Sequence, residues 1–143
     1  MHRTYFKSHS RKGKKEKTER QRVIKANDDL FRTIIHYRDK VCQKTGKVTN
    51  LQVAHYYSRK NLRTRWDLDN ACILNGGVHS YWAHTNYEQF REFWIKRIGK
   101  DRFEMLRIRA KYVAPVKLKD LYHTYYWLKQ ITENLETYFN KGV

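Results

Sequence analysis

Most apolar residues of this chain recur at three- and four-residue steps, and this spacing limits the fold more than any other feature of the sequence. Such a stripe predicts helices over residues 28–38, 78–98 and 101–110. The longest stripe follows the only proline, Pro115, and comprises Leu118, Leu121, Tyr125, Leu128, Ile131 and Leu135. We therefore expect a mostly helical chain with helices at both ends.

One short segment has the alternation of a strand instead. In "LQVAH", residues 51, 53 and 55 share one face, and the preceding "KTGKVTN" has turn chemistry around Gly46, so we expect a hairpin-like unit that ends at His55. The predicted fold class is α+β, with two short antiparallel strands leading into a helix headed by His79. The helices at either end of the chain would pack around this unit.

Charge indicates the class of partner. The 143 residues include 31 Lys and Arg against 14 Asp and Glu, a formal net charge of +17, and such an excess is typical of proteins that bind a polyanion. Residues 1–25 alone carry ten Lys or Arg against two Glu. We expect residues 1–25 to be a basic flexible arm that lies along phosphates when nucleic acid is bound, and residues 26–143 to form one domain.

Several classes of protein do not fit the sequence. It has no apolar run long enough for a membrane span and no hydrophobic stretch after the first basic residues, so we expect neither a membrane partner nor a signal peptide. Two cysteines, Cys42 and Cys72, are too few for a disulfide framework. These features favour a cytoplasmic location.

Three polar residues suggest a reaction. His55 ends the predicted strand, Asn70 follows a basic loop, and His79 comes at the head of the next predicted helix. Phosphodiester hydrolysis needs a base such as a neutral imidazole, a group that orients it, and a divalent cation at the phosphate. The same three residues fit structural roles equally well: a hydrogen-bonded strand end, a cap and a helix start.

The order His, Asn, His is that of the HNH, or ββα-metal, nucleases, and longer segments extend the likeness. "FRTIIHYRDKVCQKTGK", "AHYYSRKNLRTRWDLDNACILN" and "NYEQFREFWIKRIGKDRFEML" resemble, in order and spacing, the bacteriophage NinG (Rap) recombination-nuclease family, over roughly residues 28–110. The matching positions are Arg38, Asp39, Cys42, Ala54, His55, Tyr56, Ser58, Arg59, Arg65, Trp66, Asp67, Asn70, Arg97, Ile98 and Gly99.

The resemblance implies a small HNH, treble-clef-like hairpin-helix core and a divalent-metal DNA endonuclease of phage recombination or repair. Its substrate would be branched or single-strand-containing DNA in the host cell cytoplasm, and its cofactor one Mg²⁺ or Mn²⁺ ion. His55 would be the general base, Asn70 the orienting amide and His79 a metal ligand. The oligomeric state is left open, with a homodimer among the alternatives.

The chain departs from the family at its zinc site. NinG-like chains carry two Cys-x-x-Cys pairs that hold a structural zinc, whereas the matching positions here are Cys42 with Thr45 and Asn75 with Val78. One thiolate does not hold a tetrahedral zinc, so no structural zinc is expected. Packing would then hold the hairpin, and Cys72 would be a buried small apolar residue.

The catalytic metal site is also sparse. Many HNH sites place a metal ligand directly before the base, where this chain has Ala54. Asp67 and His84 are the candidates for a second ligand beside His79, and the sequence does not choose between them. Mg²⁺ keeps several waters and needs few protein ligands.

Basic residues of the loop and the arm are the candidate DNA contacts, namely Arg59, Lys60, Arg63, Arg65, Lys12, Lys14 and Lys15. The DNA could be branched, flapped or plain duplex. Two other functions remain: a non-catalytic nucleic-acid-binding protein on a degenerate HNH fold, favoured by Ala54, and a ribosome-associated or RNA-packaging protein, favoured by charge alone.

Overall fold

The computed structural model describes residue 13 and residues 15–141, without the side chains of residues 83 and 84. The fold is α+β and mostly helical, as predicted. Its elements in chain order are α1 (Glu19–Asp39), β1 (Leu51–His55), a 3-10 turn (Leu68–Asn70), β2 (Ala71–Asn75), α2 (Gly76–Thr85), α3 (Tyr87–Ile98), α4 (Lys100–Lys111), α5 (Leu118–Glu133) and α6 (Leu135–Asn140).

The two strands form an antiparallel pair in which Leu51 faces Asn75 and His55 faces Ala71. Strand β2 runs directly into α2, with His79 in its first turns, which confirms two short strands leading into a helix. The partner of β1 is β2, beyond the 56–70 loop, and not the segment around Gly46 as the expected hairpin-like unit implied. Strand β2 was not predicted from the sequence, because four of its five residues are buried and the segment shows no alternation of apolar and polar residues.

Helix α1 begins well before residue 28, inside the predicted arm. Thr18 caps it, since its side-chain oxygen accepts from the Gln21 amide while the Gln21 side chain accepts from the Thr18 amide. Val23 is buried, and the Arg20 side chain donates to the Val116 carbonyl at 3.0 Å. Residues 19–25 therefore belong to the folded domain, and residues 1–12 and 14 lie outside the described part of the chain.

The helix predicted over residues 78–98 is two helices. Asn86 separates α2 from α3, and its side chain accepts a hydrogen bond from the Gln89 amide at 3.1 Å. An asparagine that caps a helix offers the backbone an alternative to continuing the previous one. The apolar stripe continues across the break, which is why periodicity alone predicted one helix.

The strand pair lies between two apolar layers. On one face, Ala54, Cys72 and Leu74 pack with an aromatic cluster from α2, α3 and α4 that includes Trp82, Phe90, Trp94 and Phe103. On the other face, Ala71 and Ile73 pack with residues of α1 and α5 that include Phe31, Ile34, Ile35, Leu121 and Leu128. Within the described residues, no helix is both long enough and apolar enough to cross a membrane.

Candidate active site

His55 lies at the end of β1, half-buried against α1. Its ring stacks on Phe31, with centroids 5.9 Å apart and planes 30° apart. Its Nε2 is 2.8 Å from the backbone carbonyl oxygen of Arg65. Because a carbonyl oxygen only accepts, Nε2 carries the proton and donates, which leaves the lone pair of the neutral ring on Nδ1.

The surroundings of His55 keep this ring neutral. Its pKa is lowered from 6.5 to about 4; burial is the largest cause, and the nearby Arg59 and Arg65 guanidinium groups act in the same direction. The Arg65 carbonyl and the Asp28 carboxylate act in the opposite direction without cancelling the effect of burial. At neutral pH the imidazole is therefore uncharged with its lone pair on Nδ1, and the low pKa makes it a weaker base than a free imidazole.

Asn70 holds the loop that orients His55. It is fully buried, its Oδ1 accepts from the Tyr57 amide at 2.8 Å, and its Nδ2 donates to the carbonyls of Tyr57 and Thr64 at 3.1 and 2.9 Å. Thr64 directly precedes Arg65, whose carbonyl accepts the hydrogen bond from His55 Nε2. Asn70 thus acts on His55 through the loop and not by touching it.

Asp28, expected only as a helix-start residue, anchors the same loop from α1. Its carboxylate accepts from the Arg65 guanidinium at 2.7 and 2.9 Å, from Arg59 at 2.8 Å and from the Trp66 indole at 2.9 Å. Burial acts to raise the pKa of Asp28, but these hydrogen bonds and charges, with Arg65 foremost, hold it below its usual value. Arg65, a predicted DNA contact, is therefore engaged inside the protein.

The other predicted DNA contacts differ in what they do. Arg63 donates to the carbonyls of Ala114 and Pro115, so it ties the loop to the segment before α5. Three of the predicted contacts are exposed, namely Lys15, Arg59 and Lys60. Lys12 and Lys14 lie outside the described residues. A DNA contact by any of these side chains stays a prediction.

A groove of about 250 Å³ runs between α1 and β1 and contains His55. Its walls are Asp28, Phe31, Arg32 and His36 from α1, Leu51, Gln52, Val53 and His55 from β1, and Arg59 from the loop. The sequence analysis missed Asp28, Arg32 and His36 as groove residues. Their spacing of four residues was the available signal, because it places all three on one face of a helix.

His79 lies near the other end of β1. Its Nδ1 donates to the side-chain oxygen of Gln52 at 3.2 Å, and Gln52 also lines the groove. Gln52 and His55 are three residues apart, about 10 Å along a strand, and alternate residues of a strand point to opposite faces. Gln52 and His55 therefore point to opposite faces of β1. His79 binds Gln52, so the structure does not bring the His79 and His55 rings into contact.

Of the two other predicted metal ligands, Asp67 is the one whose side chain is described, and it is engaged elsewhere. Asp67 lines a separate cavity of about 460 Å³, caps the 3-10 turn by accepting from the Asp69 amide, and pairs with Arg109 at 2.6 Å. His84 is on α2, but its side chain is not described. Ala54 is fully buried and offers no donor. Over the described residues, no three His, Cys, Asp or Glu side chains are grouped to hold an ion.

The four positions matched to the family's zinc ligands are neighbours in space. The buried Cys42 thiol is hydrogen-bonded by the Thr45 side chain and by the amides of Asn75, Thr45 and Lys44; burial acts to raise its pKa, yet these bonds leave it below the ordinary value. Thr45, Asn75 and Val78 line one cavity. Hydrogen-bond donors of the protein thus surround Cys42, the one cysteine present at the four positions matched to the zinc ligands.

Cys72 is a buried core residue, as expected. It is fully buried beside Ala54, and burial raises the pKa of its thiol to about 12. A thiol of this kind stays protonated and unreactive.

Comparison with known proteins found no matching family model, curated protein or solved structure. The chemistry of the groove therefore has to follow from the contacts described above. Those contacts are the neutral imidazole of His55 with a defined tautomer, the buried Asn70 amide that fixes the loop, and the cationic side chains of Arg32 on α1 and Arg59 on the loop.

Proposed function

We propose that this protein is a divalent-metal-dependent DNA endonuclease of the HNH type, acting on branched or single-strand-containing DNA in phage recombination or repair. The observation that carries the proposal is the hydrogen bond from His55 Nε2 to the Arg65 carbonyl. It leaves the lone pair of the neutral ring on Nδ1, and His55 lines a groove to which Arg32 and Arg59 also contribute. The resemblance to the NinG family supports the choice of substrate.

In the proposed reaction, His55 is the general base. Nδ1 takes a proton from a water whose oxygen attacks phosphorus, the bond between phosphorus and the leaving oxygen breaks, and the leaving oxygen takes a proton from solvent. Arg59, half-exposed beside the ring, is placed to offset the growing negative charge. Asn70 and Asp28 hold the loop so that the imidazole keeps one orientation.

The residues present could hold a divalent ion through few protein ligands. The candidate donors are the His79 imidazole and the Gln52 side-chain oxygen, which are hydrogen-bonded to each other at 3.2 Å, so an ion held by both would replace that bond; Ala54 offers no donor. Mg²⁺ or Mn²⁺ is commonly held by one or two protein groups, waters and the substrate phosphate, so two donors are compatible with it. When bound, such an ion would neutralise charge on a substrate phosphate.

The buried Ala54 favours a second candidate, a non-catalytic nucleic-acid-binding protein with the same fold. A methyl group packed in the core coordinates nothing, so the position before the base makes no contribution to a metal site. The groove and the net charge of +17 would then serve binding alone.

A cleavage panel separates the two candidates. Branched, flapped, single-stranded and duplex DNA are incubated with Mg²⁺, Mn²⁺ or a chelator and with wild type, His55→Ala or the exposed α5 control His123→Ala. An endonuclease cuts with metal, and His55→Ala loses about 10²–10⁴-fold in rate while His123→Ala does not. Binding without cleavage under every metal would establish the non-catalytic protein.

The roles of the two histidines can be separated by metal concentration. His79→Ala should be slow because the ion is lost or misplaced, so Mn²⁺, which coordinates more tightly than Mg²⁺, should restore part of its rate. His55→Ala should show no such rescue because it lacks the base. If metal restored His55→Ala and not His79→Ala, the two roles would be exchanged.

A further inference from the structure

The outer edge of β1 is open to the groove. The Tyr56 amide donates to the Asn70 carbonyl at 3.0 Å, and the Gly76 amide donates to the Asn50 carbonyl at 2.9 Å, so both pairs belong to the ladder. In an antiparallel pair, hydrogen-bonded residues alternate with residues whose N–H and C=O point away from the partner strand. The outward-pointing residues of β1 are therefore Leu51, Val53 and His55.

Among the described residues, these outward groups have no hydrogen-bond partner: none donates to or accepts from the backbone of the three outward-pointing residues. The outer edge of β2 differs, since the Ile73 carbonyl accepts from the Gln43 amide and the Ile73 amide donates to the Asp39 carboxylate. Within the described part of the chain, the β1 edge is thus the edge of the sheet left for another molecule.

Two cationic or ionisable side chains of α1 face this edge. Arg32 and His36 are one helical turn apart, about 6 Å along the axis, and both line the groove together with Val53. The Arg32 side chain is 61% exposed, and its ion pair with Asp29 is 3.4 Å long, whereas Lys25 holds the same carboxylate at 2.6 Å. The Arg32 guanidinium is therefore held weakly by Asp29 and can exchange that carboxylate for an anion from solvent.

We propose that Arg32, His36 and the outward N–H of Val53 form a phosphate-binding subsite, so that one strand of nucleic acid lies along the free edge of β1. The inference rests on the proposed function, because this phosphate would neighbour the one at His55. Guanidinium, imidazole and backbone N–H groups are all donors that bind phosphate oxygens. Leu51, which is half-buried at the groove, provides apolar surface for the sugar between the two phosphates.

An acidic peptide is the other occupant that a cationic strand edge could accept. An added strand would pair with both the N–H and the C=O groups of the outward residues, whereas a phosphodiester would use only the N–H groups. The groove walls also supply side-chain donors from Arg32, His36 and Arg59, which the backbone of an added strand would not use. These side-chain donors favour a phosphodiester strand.

The test is binding in the presence of a chelator, so that no cleavage is required. A labelled single-stranded oligonucleotide is titrated with full-length wild type, Arg32→Gln, His36→Gln and the control Lys25→Gln, each over a range of salt. Lys25 lies on the same helix, pairs with the same Asp29 and is 58% exposed, but does not line the groove. Because Lys25→Gln would leave Asp29 to pair with Arg32 alone, both substitutions are compared in an Asp29→Asn background, where each removes the same charge and only Arg32→Gln removes the proposed contact.

We expect Arg32→Gln to weaken binding about three- to tenfold and to reduce the salt slope by about 0.7, and Lys25→Gln to change both much less. His36→Gln should weaken binding in the same direction. In NMR spectra, the Arg32 Nε–H and His36 ring signals should shift on addition of the oligonucleotide.

Equal effects of Arg32→Gln and Lys25→Gln would overturn the subsite, since only overall charge would then matter. Tighter, Arg32-dependent binding of a poly-glutamate peptide would overturn it in favour of a peptide. If wild type does not cleave DNA but Arg32→Gln still weakens binding, the endonuclease proposal is refuted and the subsite is supported. If wild type cleaves DNA and Arg32→Gln does not weaken binding, the subsite is refuted and the endonuclease proposal is supported.

Discussion

At the scale of single residues, the environment of His55 distinguishes it from the other histidines. The Arg65 carbonyl accepts a hydrogen bond from Nε2, the Phe31 ring covers one face of the imidazole, and two guanidinium groups lie nearby. His79, by contrast, uses Nδ1 as its donor to Gln52. The two imidazoles thus donate through different nitrogens, Nε2 in His55 and Nδ1 in His79.

The lowered pKa of His55 predicts a stability that depends on pH. The pKa is about 4 in the folded protein and 6.5 as an ordinary value, so between these values the unfolded chain binds more protons. The free energy of unfolding should therefore fall as pH decreases from 6.5 to 4, by up to about 3 kcal/mol. Denaturation curves across this range should show the fall in wild type and a smaller one in His55→Gln. An identical slope in both proteins would contradict the assignment.

Asn70 and Thr64 make a matched pair of buried polar residues in one loop. Asn70→Ala leaves three backbone groups without their partner and should destabilise the protein by about 3 kcal/mol or more. The Thr64 hydroxyl is buried and has no partner among the described residues, so Thr64→Val should change stability by less than about 1 kcal/mol. Urea denaturation measures both. A larger loss for Thr64→Val would show that its hydroxyl has a partner, such as bound water.

At the scale of elements, the strand pair is positioned by helices on both sides. An ion network lies along the outer edge of β2: Asp39 accepts from the Ile73 amide and pairs with Arg38 and Arg97 at 2.7 and 3.6 Å. These three charged residues belong to the set that resembles the NinG family. Their contacts are internal, so the resemblance at these positions concerns the scaffold of the site and not its chemistry.

The packing of α5 on α1 predicts where the domain is most sensitive. Leu128 is fully buried in the layer between these helices, while its neighbour Tyr126 is 59% exposed. Leu128→Ala should cost about 2–5 kcal/mol because it leaves a cavity, and Tyr126→Ala should cost far less. Thermal or urea denaturation distinguishes the two. Comparable losses would mean that α5 is not held by this layer.

At the scale of the whole molecule, the positive charge is divided between a folded domain and the segment before it. Residues 1–17 carry seven Lys or Arg and one Glu, and the folded helix begins at Glu19. Residues 18–25 include the cap and the buried Val23, so they contribute to stability as well as to charge.

Two deletions test this division. Removing residues 1–17 should flatten the dependence of DNA affinity on salt, because fewer phosphates are neutralised, and should leave the fold unchanged. Removing residues 1–25 should also lower the melting temperature, because the capped first turns of α1 are lost. Circular dichroism and salt-dependent binding measure the two effects. An unchanged salt slope without residues 1–17 would show that the segment does not contact DNA.

The sequence by itself determined the mostly helical α+β class, the strand ending at His55 and the candidates His55, Asn70 and His79. Each depends on local signals, namely spacing, turn residues and residue types. The split at Asn86 and the early start at Thr18 were missed because single capping bonds decide them and leave the apolar stripe unbroken. Strand β2 was missed because burial on both faces removes alternation.

Only the tertiary structure decided which side chains share the groove. The Arg65 carbonyl reaches His55 across ten residues, Asp28 reaches Arg65 across thirty-seven, and Asp67 is drawn to Arg109 in another cavity. Contacts between distant residues follow from how helices and strands pack, and no local pattern carries that information. For the same reason, Arg63 and Arg65 look like free cations in the sequence and prove to be internal ties in the folded chain.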